Sequence, residues 1–486
     1  MRGNFTLLAF LVTFSQACSS DTDPLLKSST SGGTGGQTGQ GGSTGISHQG
    51  GQSDVAGQTS GTTTAVPPVT YYGDVLPIVE QRCLRCHQHG GIAPIQFDTY
   101  AGARPNAAAM KAATASRIMP PWGATSDGTC GTFSDSLAMS DEEISTIGKW
   151  ADGGALEGTS TQVSLPPLPS LGAATEYVTP LFSPVAQGGQ LAQFDEYRCF
   201  MLDSGVTDPS FITGYEVVPG TPAIIHHVLG FLVDPSAPAS DGSGSNLALM
   251  TKLDQASPDR DGWPCFGMAG DGVSVAAVPV TWAPGQGVMT YPGQSGVPLS
   301  STHKLVIQVH YNLADPAQIG KTDQTKVRLR IASTVAQVGI FALPDPFLRS
   351  LSNPAGPYSL PSGQASTKFS WTATVADLGL GSVPNLMLYG IGPHMHQRGQ
   401  KFHATVGDPN ATASCAVDVE RWDFHWQHFY FYASPRSVDA TTPISVTCDY
   451  DTSADTSPVF PGWGTRNEMC LAALYFTAPL AAVSGK

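Results

Sequence analysis

Three stretches of period-two sequence constrain this chain more than any other feature. Leu305-Val306-Ile307-Gln308-Val309-His310-Tyr311, Lys326-Val327-Arg328-Leu329-Arg330-Ile331 and Ile444-Ser445-Val446-Thr447-Cys448 all read as β-strands. Turn residues separate them, for the 486 residues include 54 Gly and 38 Pro, well above the ~12% usual for these two types together. Convincing helical periodicity is scarce after residue 175. The remaining stretch, roughly 310 residues long, suits two β-sandwich or jelly-roll domains, 175–345 and 346–486. Hydrophobic residues make up 41% of the chain, enough for real cores, which excludes a wholly disordered protein. The formal charge of -14, from 24 basic and 38 acidic residues, argues against nucleic acid as a partner.

The first residues read as an export signal over 1–17. Arg2 precedes the apolar run Leu7-Leu8-Ala9-Phe10-Leu11-Val12, which is too short to span a bilayer, and Ser15-Gln16-Ala17 offers small residues for cleavage. Cys18 then resembles the lipidated cysteine of bacterial lipoproteins, although Ser15 stands where a Leu-like residue is usual. Ordinary cleavage after Ala17, leaving a free thiol, is the alternative. Residues 18–68 are a tether dominated by Gly, Ser, Thr and Gln, which cannot bury a core. A flexible tether of about 48 residues reaches about 40 Å. The expected location is therefore the periplasm or cell surface, with membrane attachment through Cys18.

Cys83-Leu84-Arg85-Cys86-His87 is a c-type haem attachment signature. Two thiols one helical turn apart can add to the haem vinyl groups, and the adjacent His supplies a ring nitrogen to iron. Residues 69–158 fit a small all-α cytochrome c domain. Val75 to Cys86 can form the helix leading into the motif. Ser140-Asp141-Glu142-Glu143 is a capping box before Ile144, Ile147 and Trp150 on one face, with Gly153-Gly154 as the stop. Met119, in Met119-Pro120-Pro121, resembles the axial methionine of cytochromes c, whose thioether raises the haem potential. Met110 is the alternative, and His89 a sterically awkward one. A Pro-rich linker covers 159–174. With Cys18 lipidated and Cys83 and Cys86 on haem, six of nine cysteines remain, an even number suited to an oxidising compartment.

Six residues in two sets carry the remaining chemistry. His394 and His396, at i and i+2, share one face of a strand and can converge on one ion. His226 and His227 are adjacent and need a twisted or bulged segment to do the same. His310 lies on a strand with Gln308 on its face, and Met469-Cys470 follows later. Residues of about 175–486 resemble the copper type II, ascorbate-dependent monooxygenases, the family of dopamine β-monooxygenase and peptidylglycine α-hydroxylating monooxygenase. The segments that carry the resemblance are Ile225-His226-His227-Val228-Leu229, Leu305 to Tyr311, His394-Met395-His396 and Glu468-Met469-Cys470. It implies two copper ions, one held by His226, His227 and His310 for electron transfer. The other, held by His394, His396 and Met469, would bind dioxygen, and a thioether there favours Cu(I). Gln308 is a candidate support for the first set.

The same resemblance implies a Cys448–Cys470 disulfide beside Met469. Cys199 and Cys265 bracket the His226-His227 strand and read as the second pair. Cys130 and Cys415 are left, and a bridge between the haem and catalytic domains stays open. His303, His403, His425 and His428 read as structural or surface, with a pocket-lining role open for His425 and His428. The peptide-amidating branch holds a substrate carboxylate with an Arg and a Tyr where this chain has Gly392 and Ala473, which argues against a glycine-extended peptide substrate. The expectation is a C–H hydroxylating monooxygenase that takes dioxygen, an unknown organic substrate, and electrons from its own haem, ascorbate or a redox protein. The alternative is a non-catalytic copper and haem electron carrier or copper-storage lipoprotein, separable by substrate-dependent oxygen uptake.

Overall fold

A computed structural model describes residues 67–483, apart from 90–92, 135, 162–164, 166–168, 187–193, 267, 285, 354, 409, 412–413, 425 and 465. The export signal, Cys18 and the tether up to residue 66 lie outside the described residues, as does His425.

The described chain opens with helices and continues in strands. Thr70 caps a turn over Tyr71–Val75 that runs on into a helix, Leu76–Arg82. Short helices follow at Tyr100–Ala103, Ala107–Ala115 and Asp141–Asp152. The last begins with the capping box read from sequence. Glu143 N donates to Ser140 Oγ at 3.1 Å, and Ser140 N donates to Glu143 Oε2 at 2.7 Å. Three acidic residues in its first turn meet the positive end of the helix dipole. Ile147 and Trp150 bury against Tyr71, Val79, Leu84 and Met110, and this small core holds the helices together.

Beyond the helices the protein is mostly β, in antiparallel sheets that build two sandwiches. One sheet runs in the order Trp263–Pro264, Asp195–Asp203, Lys304–Asn312, Ile225–Val233, Ala277–Trp282. Its strand Lys304–Asn312 is buried on both faces. Leu305, Ile307, Val309 and Tyr311 enter the sandwich core with Phe200, Val228 and Val280, while Val306 faces Phe231, Met250 and Trp263 on the other side. Burial on both faces explains the near-continuous apolar run, each such side chain contributing ~1.5–3 kcal/mol. Gln308 and His310 are the polar exceptions, and both are fully buried.

A larger sheet serves both sandwiches. Its order is Thr175–Val178, Lys326–Ala332, Ser210–Val218, Ser295–Leu299, Gln337–Ala342, Leu471–Pro479, Met387–His394, Tyr430–Ser437. The halves join through a short parallel pairing, Gln337 with Ser295 and Val338 with Gly296. A third sheet, Thr367–Thr374, Pro443–Tyr450, Gly399–Val406, Cys415–Val419, closes the second sandwich. Its core packs Trp371, Phe402 and Val446 against Leu388, Ile391 and Phe476.

Residues 120–134, between two helices, pack in this second sandwich. Ala124 bridges to Val419, Phe133 bridges to Tyr432, and Cys130 is disulfide-bonded to Cys415 across 285 residues. Gly123 permits the approach, because a Cβ there would meet Val419, the Arg421 carbonyl and the Tyr430 hydroxyl at 3.1–3.3 Å. Cys199–Cys265 and Cys448–Cys470 are also bonded.

Candidate metal centres

His226 and His227 open the strand Ile225–Val233, and a register shift against Lys304–Asn312 falls between Ile225 and His227. That bulge brings two adjacent imidazoles to one side. His227 pairs directly across from His310. His227 Nδ1 lies 3.3 Å from His226 Nδ1 and 3.4 Å from His310 Nδ1. Two of the opposite nitrogens are engaged elsewhere. His227 Nε2 is 3.4 Å from Gln308 Oε1, and His310 Nε2 is 3.2 Å from Asp195 Oδ1. Gln308 is held in turn, its amide nitrogen donating to the Met268 carbonyl at 2.7 Å. The His227 Nε2 is thus directed by Gln308, and His310 Nε2 is held in close contact with Asp195 although outside hydrogen-bond geometry, so the Nδ1 atoms of both rings face a common centre.

Among the described residues, His226, His227 and His310 are the His/Cys/Asp/Glu group whose ligand atoms all lie within 4.8 Å of one another. Burial holds the His227 pKa well below the usual value, and the neighbouring His310, His226 and His394 add to it. Burial lowers His310 too, against the pull of Asp195. Neutral rings are the form that binds a metal ion. The Tyr197 ring stacks on His310 at 3.9 Å and fixes its plane.

The second set sits where the strand Met387–His394 ends. His394 Nδ1 donates to Gln427 Oε1 at 2.6 Å, and His396 Nδ1 donates to the Asn467 carbonyl at 3.0 Å. Both assignments leave Nε2 as the free lone pair, on rings whose centroids are 5.2 Å apart. Burial, then the neighbouring His394, pushes His396 down to about 3. Leu471 pairs with His394, so buried Met469 lies two residues before that pairing, beside the Cys448–Cys470 bridge. Fully buried Glu468 accepts from His396 N and Arg398 N, both at 2.8 Å.

Phe424 stands between the two sets. Its ring stacks on His226 at 4.8 Å and meets His396 edge-on at 6.0 Å. Trp122, Trp422, Phe424, Trp426 and Tyr430 line an adjoining cavity of about 420 Å³. At Gly392 a Cβ would meet the Phe429 ring at 2.8 Å, so no longer side chain fits there unless that ring moves.

The haem-motif residues lie in the helical part. Cys83 and Cys86 are free thiols, while the other six described cysteines are bonded. Burial, then Cys86, pushes Cys83 up to about 12. His87 Nδ1 is 2.8 Å from the Ile95 carbonyl, which fixes the tautomer that leaves Nε2 with the free lone pair. Met119 is half-buried, whereas Met110 is buried in the helical core. His303 accepts from the Ser300 amide and His403 pairs with Asp418 near the surface, as a structural reading expects.

Sequence reasoning missed Asp195, Gln427, Asn467 and Phe424. None carries a motif, and each reaches its histidine through topology. Asp195→Asn should weaken metal binding at the first set by ~10–100-fold, the usual loss when a partner that orients a ligand is removed. Titration against a chelator of known affinity measures this, and an unchanged affinity would show that Asp195 does not orient His310.

Residues 363–483 match the family model described as copper type II ascorbate-dependent monooxygenase, C-terminal domain. Tyramine beta-hydroxylase of Caenorhabditis briggsae is 22% identical over 278 residues, 54% of this chain and 41% of that protein. The chain thus spans about two fifths of the length of the curated relative it matches. Among solved structures, the Broad Bean Stain Virus particle covers 63% of this chain and 88% of its own at 8% identity, with a TM-score of 0.26. The T13 IBDV particle gives 8% identity and 0.17, covering 65% and 72%. Both likenesses are too slight to bear on function. The segment that holds His394, His396 and Met469 is therefore the part of the chain similar to a copper type II, ascorbate-dependent monooxygenase domain.

Proposed function

We propose that the chain is a copper monooxygenase that hydroxylates a C–H bond of an organic substrate, with its own c-type haem as electron donor. One oxygen atom of dioxygen enters the substrate and the other leaves as water, with two electrons drawn from haem, ascorbate or a redox protein. The observation that carries this reading is the pair of histidine sets, half-buried to buried, that both touch Phe424, the second inside the matching segment. The donors fit copper, because imidazole and thioether suit it whereas magnesium and calcium want oxygen. Bound copper would supply one-electron chemistry and oxygen activation.

The chain's own residues do the rest. Asp195 and Gln308 orient two rings of the first set, and Gln427 and the Asn467 carbonyl orient the second. Met469 is the proposed third donor of the second set, whose three protein ligands leave room for oxygen. The cavity beside Phe424, lined by Trp122, Trp422, Trp426 and Tyr430 together with Arg421 and Asp423, is the place offered for substrate. Cys83, Cys86 and His87 would hold the haem, with Met119 as its other ligand. Six-coordinate haem leaves electron transfer as its role. Export and attachment through Cys18 complete the reading.

The test is metal analysis and product mass spectrometry under labelled oxygen. Two coppers and one covalent haem per chain are expected, with label in the product. Zinc in both sites after purification without added zinc would sink the proposal. Met469→His should keep a metal but weaken Cu(I) binding and slow turnover, because a harder nitrogen replaces the thioether. Unchanged turnover in that variant removes Met469 from the ligand set.

A further inference from the structure

The loop 422–428 touches both histidine sets and the helical part. Trp422 Nε1 donates to the His396 carbonyl at 3.1 Å, Phe424 packs on His226 and His396, and Gln427 holds His394. The other end of the loop faces the helices. His428 is bonded to the Pro121 carbonyl, two residues beyond Met119. Its ring lies 6.0 Å from Trp122 and 6.3 Å from Trp426, the latter nearly parallel. Its Nε2 is buried and, among the described residues, has no hydrogen-bond partner. Burial first, and the charge of Arg85 second, push His428 down to about 4. Arg85 lies between Cys83 and Cys86, where the porphyrin's vinyl carbons would be joined to the chain. His428 therefore sits against Trp122, three residues beyond Met119, and within reach of the Arg85 charge.

The turn between these ends is tight. Trp426 N donates to the Asp423 carbonyl and Gln427 Nε2 to the Phe424 carbonyl, both at 3.0 Å. Trp122, Phe424 and Trp426 also line one cavity. The short turn thus carries Phe424 at the histidine sets and Trp426 with His428 at Trp122, so that one stretch of chain reaches from the metal-binding rings to the helical part.

We propose that this loop conducts electrons from the haem of Cys83, Cys86 and His87 to the copper ions, with His428 and Trp426 at the haem end and Phe424 at the metal end. The inference rests on the haem and copper reading above. Each passage oxidises haem iron from Fe(II) to Fe(III) and reduces one copper from Cu(II) to Cu(I), with no bond broken and no proton moved. Two passages supply the two electrons of a turnover, and a one-electron donor, ascorbate or a redox protein, re-reduces the haem. The rings are the medium and are not themselves oxidised. The stacking of Phe424 on His226 at 4.8 Å, closer than its 6.0 Å edge contact with His396, directs the first electron to the His226, His227 and His310 set.

Flash photoreduction of the haem in oxidised, copper-loaded full-length protein tests this, read by recovery of the oxidised haem band and by loss of the Cu(II) resonance. His428→Leu and Phe424→Leu should each slow haem reoxidation about tenfold or more, equivalent to ~1.4 kcal/mol of barrier, with copper content unchanged. His428→Phe and Phe424→Tyr keep a ring in place and should stay near the wild-type rate. Wild-type rates in both leucine variants, with copper retained, would overturn the proposal. A wild-type chain that lacks covalent haem, or whose haem is not reoxidised by copper, overturns the haem-donor reading and the relay together, and is recognised before any variant is made.

Discussion

Replacing His310 with alanine should empty the first histidine set while leaving the second loaded, a loss of one ion per chain on the proposed reading. His310 is fully buried on a central strand, directly across from His227, and its Nδ1 is one of the nitrogens that converge. Loss of a ligand costs more than the ~10–100-fold in affinity that follows from loss of a ligand's orienting partner. The variant also takes the neutral ring away from fully buried Asp195, which keeps its bond from Asn312 Nδ2, and the loss of that one neighbour costs ~1–3 kcal/mol. His310→Asn therefore serves as the companion, since its amide can still donate toward the carboxylate. Copper analysis should fall from two ions per chain to one in both variants, with the haem spectrum unchanged. Two ions per chain in a folded His310→Ala protein would remove this residue from the ligand set.

The features legible in the sequence are those fixed by local spacing. His394 and His396 share a side because a strand has period two, and the adjacent pair at 226–227 needed a bulge, which the structure supplies. The capping box at Ser140 is a four-residue signal and forms as read. What long-range topology decides was not legible. Nothing local in Asp195 or Gln427 marks them as partners of histidines 115 and 33 residues away. The sequence left Cys130 and Cys415 open, and pairing across 285 residues follows only once the loop 120–134 is seen to dock on the second sandwich. Chain order assigned that loop to the helical part, yet Phe133 and Ala124 bury in the sandwich core. One sheet shared by both sandwiches also escaped the sequence, because it depends on a pairing of two residues at Ser295 and Gly296.

Removing the Glu468 carboxylate should cost more stability than any surface change and disturb the second histidine set with it. The side chain is fully buried, and burial raises its pKa to about 7 against the two backbone amides that favour the charged form. Those amides, His396 N and Arg398 N, belong to the turn leaving the His394 strand, while Glu468 itself directly precedes Met469. A single carboxylate thus ties together the two segments that present His396 and Met469. Arg398 braces the same junction, donating to Asp455 at 2.6 and 2.7 Å and to the Arg466 carbonyl at 2.9 Å. Glu468→Ala leaves two N–H groups without their acceptor, at ~1–3 kcal/mol each, so a loss of about 2–6 kcal/mol is expected. Glu468→Gln keeps one carbonyl oxygen but turns an NH₂ toward the other amide, and should fall between alanine and wild type. Denaturant unfolding of the metal-free protein measures the stability loss, and copper titration of the folded variants measures the site. If alanine unfolds at the wild-type midpoint and binds its second copper normally, Glu468 is a passenger in the core, and the turn at His396 is held by its strand and by the Cys448–Cys470 bridge alone.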